Sequence, residues 1–228
     1  MISITDQIKE AAGDLLIKTP EIRNESSGFS MFNDGGVECE VGELLYGFVR
    51  VLKPSYVLET GTHKGIASSY IGMALKENRK DRTNGLIGLL ETLEIEATHI
   101  ETSKELWKKL GVNDIIIPYR TASLDYDPPH RFGMILLDTE LNLRLHELVK
   151  FYKALEPGGY VFVHDMPPTL CKNNVSTDHP EIVNYPVGKF PPEFDEFLLT
   201  DKLRLIHFPS PRGLICFYKP KDNDYKWK

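Results

Sequence analysis

The alternation of short apolar runs with amphipathic helices most limits how this chain of 228 residues can fold. Between the runs, apolar side chains recur with the three-to-four-residue spacing that is typical of helices packed on one face. Continuously apolar strands separated by such helices indicate a parallel sheet that is covered on both faces. The predicted strands are residues 56–58, 86–90, 115–117, 134–137 and 160–163.

Two further apolar runs near the C-terminus break this alternation. Residues 203–208 and 214–218 are joined only by Pro209-Ser210-Pro211-Arg212-Gly213, a connection too short for a helical crossover, so these strands are expected to pair antiparallel. An amphipathic helix over residues 4–16 precedes the alternating region. The sequence therefore predicts a doubly wound α/β sheet, mostly parallel with an antiparallel C-terminal hairpin strand, plus an N-terminal helical cap.

Two segments, residues 18–36 and 166–191, are rich in glycine, proline, asparagine and serine, a composition that predicts loops. A loop as long as the second is uncommon in a compact domain unless it covers or binds a ligand. We therefore expect residues 1–36 to form a helix-and-loop cap and residues 37–228 to form the main domain. Residues 166–191 would be its lid or substrate loop.

The composition excludes several classes of function. The chain has 27 basic and 33 acidic residues and a net charge of −6, which disfavours bulk nucleic-acid binding. No apolar run reaches the roughly 18–20 residues of a membrane span. Asp6, Lys9 and Glu10 stand where a secretory signal would be apolar, and the three scattered cysteines fit neither a disulfide framework nor a zinc site. We expect a cytoplasmic protein without nucleic-acid or membrane partners.

Polar residues and glycines follow the predicted strands. The first strand continues into a helix through Glu59-Thr60-Gly61-Thr62-His63-Lys64-Gly65, where glycines would let backbone approach a ligand and the helix N-terminus would offer N–H groups. Two glycines in such a turn are also common for steric reasons. Glu91 follows the second strand and would bind ribose hydroxyls, or it is a solvated acid that opens the next helix. Ser123 would lie at an adenine edge, or it caps a helix.

Two aspartates end neighbouring predicted strands. If the strand order is the usual one, the strands that end at Asp138 and Asp165 lie about 4.8 Å apart, so the two carboxylates meet. Paired carboxylates suit Mg²⁺, or Mn²⁺ where a nitrogen joins them. His164 could supply that nitrogen and Glu140 is an oxygen alternative. Otherwise Asp138 only binds cofactor and Asp165 only caps a loop.

These motifs occur together in one order along the chain. With residues 42–65, Glu91, Ala122-Ser123, Leu136-Leu137-Asp138 and the run from Pro157 to Asp165, the chain resembles class I S-adenosylmethionine-dependent methyltransferases. It is most similar to small-molecule O-methyltransferases of the catechol O-methyltransferase type and to the metal-dependent sugar O-methyltransferases of macrolide pathways. The resemblance covers about residues 37–165 and the final hairpin. It implies a Rossmann-like sheet of seven strands.

The resemblance also implies a site. On the strand-end argument given above, and not on the resemblance, His164 or Asp165 would take the substrate proton, and Asp138, Asp165 and His164 would hold Mg²⁺ or Mn²⁺. The implied contacts with S-adenosylmethionine are those of Val37, Glu59, Gly61, Thr62, His63, Gly65, Ser68, Glu91, Ser123 and Asp138.

The sequence departs from the catechol-type pattern at two positions. Leu141 stands where those enzymes have a lysine that deprotonates the substrate, and Met166 stands where they often have an amide metal ligand. The catechol mechanism therefore does not transfer whole. The run Asp138-Thr139-Glu140-Leu141 is closer to the sugar methyltransferase pattern.

We therefore predict S-adenosylmethionine-dependent methyl transfer to a hydroxyl of a small molecule, assisted by a divalent cation. One alternative is an NAD-dependent oxidoreductase, although such enzymes usually show Gly-x-Gly-x-x-Gly with an acid about 20 residues further on. A second is a non-catalytic binding protein with a methyltransferase fold. The sequence leaves the acceptor and the oligomeric state open, and the extra N-terminal helix would allow a homodimer contact.

Overall fold

The computed structural model of the chain describes residues 2–13, 22–24, 29–31, 36–81, 88–166, 204–208, 210 and 212–221. Contacts divide the chain into two compact units, Met1–Tyr126 and Asp127–Lys228. Seven strands form one mixed sheet, and two short strands form a separate hairpin. The predicted cap of residues 1–36 and main domain of residues 37–228 stay a prediction.

The first unit alternates helices and strands as the apolar pattern predicts. About half of its buried side chains come from two neighbouring strands and the helix that connects them. Val57, Ile71 and Leu90 are examples from the first strand, the helix and the second strand. In chain order its elements are α1 (Ile4–Ala12), β1 (Ile22–Asn24), β2 (Phe29–Met31), α2 (Cys39–Leu52), β3 (Tyr56–Thr60), α3 (Ile66–Lys80), β4 (Leu89–Glu94), α4 (Ala97–Leu110), β5 (Ile116–Arg120) and a 3₁₀ turn (Ser123–Asp125).

The described residues of the second unit form one helix and four strands. These are β6 (Phe132–Leu137), α5 (Leu141–Tyr152), β7 (Leu155–His164), β8 (Arg204–Phe208) and β9 (Leu214–Tyr218). Strand β6 is buried except at Gly133, and β7 is buried from Val161 to His164, as is typical of strands inside a parallel sheet.

The sheet order is β5-β4-β3-β6-β7-β9-β8. In the first unit β3 pairs parallel with β4, and β4 with β5. In the second unit β6 pairs parallel with β7, whereas β9 pairs antiparallel with both β7 and β8. The predicted fold class, including the antiparallel C-terminal hairpin, is confirmed. No helix within the described ranges is long and apolar enough to cross a membrane.

Several expectations from the sequence differ from the structure in their details. The segment 18–36 was expected to be a loop, but β1 and β2 form an antiparallel hairpin within it. The second sheet strand runs from Leu89 to Glu94 and does not end before Glu91. Strand β7 begins at Leu155 and not at the predicted residue 160, and its register against β6 shifts between Leu155 and Tyr160, across Pro157-Gly158-Gly159. The predicted lid, residues 166–191, lies outside the described residues apart from Met166.

Candidate functional site

The turn after β3 has the backbone conformation that its glycines predict. Gly61 and Gly65 have φ angles of 80° and 76°, and His63 between them has 47°. In this left-handed region a side chain with a Cβ is strained, so glycine is the natural residue. The N–H groups of Gly61 and Thr62 both donate to the carbonyl of Leu93, at 3.0 and 3.2 Å. The turn is therefore anchored on the end of β4.

Glu59 connects this turn to its neighbours. Its carboxylate is fully buried and accepts hydrogen bonds from the hydroxyls of Ser68 and Thr92. Because the Thr92 hydroxyl gives its proton to Glu59, Thr62 must be the donor in the 2.6 Å bond between the two threonines. The predicted cofactor residues Glu59, Thr62 and Ser68 thus form one buried network that fixes the turn to α3 and β4. This is a positioning role, and a direct contact with cofactor stays a prediction.

Gly65 is explained by the packing of α4. A Cβ at this position would lie 2.8 Å from the Cβ of Ser103 and 2.9 Å from Nε1 of Trp107. The same two side chains bind the turn, since Ser103 donates to the His63 carbonyl at 3.1 Å and Trp107 to the Gly65 carbonyl at 3.3 Å. The steric reason for the second glycine, which the sequence left open, is therefore present in the structure.

Gly65→Ala is expected to lower the free energy of unfolding by about 1–3 kcal/mol, the usual cost of overpacking, with left-handed strain included. The matched control is Gly47→Ala in α2, where a Cβ would meet nothing within 4 Å. That substitution should stabilise the helix by about 0.5–1 kcal/mol. Chemical denaturation measures both, and equal effects of the two substitutions would contradict the packing argument.

Glu91 does not stand at the end of its strand. It is the third residue of β4, between Leu58 and Ile117 in register, and only 4% of it is exposed. The hydroxyl of Tyr126 donates to its carboxylate at 2.5 Å. Burial, followed by this hydrogen bond, raises the pKa of Tyr126, so the phenol keeps its proton. Glu91 was expected to bind ribose because it would follow the end of the strand, and that premise is wrong.

Glu94 is the acid at the end of β4, three residues beyond Glu91. Strand alternation places these two side chains on opposite faces of the sheet. The Glu94 carboxylate accepts from the N–H of His63 at 2.7 Å and from the N–H groups of Ile95 and Glu96, both at 2.9 Å. It therefore lies against the glycine turn. Glu94 was not predicted as a site residue, because the strand was expected to end before Glu91.

The other predicted cofactor residues of the first unit differ in accessibility. Val37 and Ser123 are 1% and 6% exposed. Gly61 and His63 are partly exposed. The His63 ring also packs edge-on against the ring of His99, with centroids 4.8 Å apart. Within the predicted set of this unit, the turn itself offers the most accessible groups.

In the second unit, Asp138, His164 and Asp165 lie together at the carboxyl ends of β6 and β7. One ligand atom from each lies within 4.8 Å of the others. Asp138 directly follows β6, and His164 is the last residue of β7. Consecutive strand residues normally face opposite ways, but Asp165 has a φ of 54°. At this left-handed turn the strand has ended, so the side chains of both His164 and Asp165 can reach the same cluster.

The cluster is tightly bonded. Nδ1 of His164 lies 2.9 Å from Oδ1 of Asp138 and 3.6 Å from Oδ1 of Asp165. The His164 side chain is fully buried, whereas those of Asp138 and Asp165 are 12% and 11% exposed. Glu140, the alternative oxygen ligand, is exposed and is not part of this cluster.

Two arginines that the sequence analysis missed complete the cluster. Arg144 in α5 donates to Oδ1 of Asp138 at 3.1 Å and lies 3.0 Å from Oδ2 of Asp165. It also donates to the backbone carbonyls of Thr139 at 2.8 Å and of His164 at 2.6 Å. Arg212, before β9, donates to Oδ2 of Asp165 at 2.5 Å.

Burial alone would raise the pKa of Asp165, yet His164, Arg144 and Arg212 together hold it below its usual value. Its carboxyl is therefore ionised at neutral pH. Oδ1 of Asp165 is buried and has no hydrogen-bond partner among the residues that the structure describes. Such an atom is costly unless a ligand meets it.

Solved structures with the same fold were found at low sequence identity. The O-methyltransferase TomG from Streptomyces achromogenes, in complex with S-adenosylmethionine, is 17% identical with a TM-score of 0.63, over 97% of this chain and 91% of its own. The S-adenosylhomocysteine-bound methyltransferase PaMTH1 from Podospora anserina is 16% identical with a TM-score of 0.67, over 95% and 88%. The chain has the O-methyltransferase fold.

A third structure with this methyltransferase fold is the O-methyltransferase from Bacillus cereus in complex with S-adenosylhomocysteine. It is 15% identical to the chain with a TM-score of 0.64, and the match covers 96% of this chain and 92% of the other. No protein-family model and no curated protein sequence matches the chain. The fold that the resemblance implied is thus confirmed by structure.

Proposed function

We propose that this protein transfers a methyl group from S-adenosylmethionine to a hydroxyl of a small molecule. The observation that carries the proposal is its likeness, over 95–97% of the chain, to methyltransferases solved with S-adenosylmethionine or S-adenosylhomocysteine. The methyl group of the cofactor is already activated as a sulfonium. The protein then needs only to align an oxygen nucleophile with it and to exclude water.

The glycine turn of the first unit is the proposed cofactor platform. Gly61 and His63 would lie under the methionine and ribose, and the network of Glu59, Thr62 and Ser68 would hold that turn rigid. We assign the ribose hydroxyls to Glu94, because ligands of such sheets bind at the carboxyl ends of strands and Glu94 occupies that end of β4. Its carboxylate has two oxygens with about four acceptor positions, so three backbone donors leave room for a further hydroxyl.

Glu94→Gln is therefore expected to weaken S-adenosylhomocysteine binding by about 1–3 kcal/mol, the range for a hydrogen bond to a charged group. Glu91→Gln is the matched control, since it removes the same charge from the same strand on the opposite face. It should change the affinity by less than about 0.5 kcal/mol, as for a site that does not touch the ligand. Isothermal titration calorimetry decides between the two acids, and the reverse ranking would restore Glu91 as the ribose ligand.

The cluster of the second unit is proposed to receive the substrate proton. The ring of His164 is held between Asp138 and Asp165, and an imidazolium formed there would be stabilised by two carboxylates. Because the ring is fully buried, the proton would reach it through the carboxylate of Asp138 or of Asp165, both of which are more exposed than the ring. Leu141 contributes no base, so the cluster would perform the work of the lysine found in catechol-type enzymes.

The same residues fit a divalent cation. Two carboxylates and an imidazole are a suitable donor set for Mg²⁺ or Mn²⁺, and the buried, unbonded Oδ1 of Asp165 is an oxygen that such an ion would satisfy. Asp138, Asp165 and His164 would be its protein ligands. When bound, the ion would lower the pKa of the acceptor hydroxyl and orient it. Met166 is buried and presents no amide at this point.

Formation of S-adenosylhomocysteine from S-adenosylmethionine tests the proposal. Polyols, sugars and phenols serve as acceptors, and each is assayed with and without a chelator. We expect release with one acceptor class. A binding protein without catalysis would bind the cofactor and release nothing with any acceptor. Loss of activity in chelator and its return with Mg²⁺ or Mn²⁺ would support the cation, whereas full activity without metal would leave His164 as the proton acceptor alone.

The partners and location follow the sequence predictions. We propose a small-molecule acceptor, a cytoplasmic location, a homodimer, and no nucleic-acid or membrane partner. An NAD-dependent oxidoreductase is the less favoured function, because the turn after β3 has the form Gly-x-x-x-Gly and lacks the three-glycine pattern of dinucleotide-binding turns.

A further inference from the structure

Among the residues that the structure describes, the strand-end cluster contains two guanidinium groups and two carboxylates. Arg144 and Arg212 both contact Oδ2 of Asp165, at 3.0 and 2.5 Å, and Arg144 also contacts Oδ1 of Asp138 at 3.1 Å. The side chain of Arg144 is only 5% exposed and that of Arg212 is 20% exposed. We call these two side chains the guanidinium clamp. It engages one oxygen of each carboxylate.

The guanidinium clamp changes the net charge of the site at which a cation would bind. Within the described part of the chain, the charges of these two carboxylates and two guanidinium groups sum to zero when His164 is neutral. Cation affinity in oxygen sites depends strongly on the number of ligand charges. A divalent ion would therefore add two uncompensated positive charges to a buried site, where charges interact more strongly than in water.

We propose that Arg144 and Arg212 are specificity-determining residues, which make the cluster weak for a free divalent cation and selective for acceptors that bring a negative charge. The inference rests on the proposed function and specifies its substrate class. An acceptor with a carboxylate or an ionised hydroxyl next to the reacting oxygen compensates the cation, and a neutral acceptor does not. The clamp also leaves Oδ1 of Asp165 as the oxygen available for a ligand.

Binding of Mn²⁺, followed by electron paramagnetic resonance, tests this without any turnover. The probes are salicylate and its neutral analogue salicylamide, which share the ring and the adjacent hydroxyl but differ in charge. The informative variant is Arg212→Gln, which removes the charge and keeps a hydrogen-bond donor for Asp165. The control is Arg131→Gln, which removes an exposed arginine of the same unit and should behave as wild type.

We expect Arg212→Gln to bind Mn²⁺ at least about tenfold more tightly than wild type, because one positive charge beside the ion is lost. Salicylate should raise the Mn²⁺ affinity of wild type by about tenfold, salicylamide by less than about twofold, and the gain from salicylate should shrink in the variant. Equal Mn²⁺ affinity of wild type and Arg212→Gln, or no Mn²⁺ binding by either, would overturn the clamp proposal. S-adenosylhomocysteine binding in the same samples tests the proposed function separately.

Discussion

Replacing Asp165 by asparagine should reduce methyl transfer by at least about 100-fold, within the range for losing a group that transfers a proton or holds a catalytic ion. Asp165 is ionised and buried, and its Oδ1 accepts no hydrogen bond from the residues that the structure describes. Asparagine keeps the shape but removes the charge, and one remaining carboxylate with waters holds Mg²⁺ poorly. Asp138→Asn should have an effect of the same order. Turnover under saturating S-adenosylmethionine is the measurement.

The affinity for S-adenosylhomocysteine provides the control for these variants. Asp165→Asn should bind it as tightly as wild type, because Asp165 is assigned to the acceptor and not to the cofactor. Asp138→Asn should bind it more weakly, because Asp138 was also predicted to contact the methionine amino group. Full turnover by a correctly folded Asp165→Asn protein would remove this residue from the mechanism.

Arg144→Ala should lower the free energy of unfolding by about 3–5 kcal/mol, the cost of removing one partner from a buried ion pair. The substitution leaves Asp138 and Asp165 without a shared cationic partner. It also removes the donors to the carbonyls of Thr139 and His164. Urea denaturation measures the change, and Arg131→Ala, at an exposed position, should stay within about 0.5 kcal/mol of wild type.

A double variant separates the ion pair from ordinary loss of packing. If the destabilisation comes from uncompensated carboxylates, adding Asp165→Ala to Arg144→Ala should cost less than the sum of the two single substitutions. Strict additivity of the two free-energy changes would assign the effect of Arg144 to packing and to its backbone hydrogen bonds. A loss below about 1 kcal/mol in Arg144→Ala would contradict the ion-pair argument itself.

The sheet was predictable because its evidence is local. Buried parallel strands are continuously apolar and the helices between them show one apolar face, so type and order could be inferred from periodicity. The exact bounds of β4 could not be inferred from its own residues, because they depend on its pairing with β3, in which Tyr56 lies opposite Leu89. The apolar residues at the start of the run 86–90 led to an expected strand that begins and ends too early. For the same reason Glu91 was expected to be the acid at the end of the strand, a position that Glu94 occupies.

The candidate site was predictable only in part. Asp138 and Asp165 could be identified, since each follows a buried strand. His164 required the left-handed turn at Asp165, which residue type does not specify. Arg144 carried no usable signal, because an arginine in an amphipathic helix is usually solvated. It lies six residues beyond Asp138, and its other partner, Asp165, follows only after the rest of α5 and the whole of β7.

Calorimetric titration of the purified protein with S-adenosylhomocysteine, and separately with NAD, tests whether the protein binds the methyl-transfer cofactor. We expect saturable binding of S-adenosylhomocysteine in the micromolar range, about −8 kcal/mol, weaker binding in Glu94→Gln, and no binding of NAD. Binding of NAD without S-adenosylhomocysteine would contradict methyl transfer and favour an oxidoreductase. Binding of neither would leave only the fold in common with the methyltransferases.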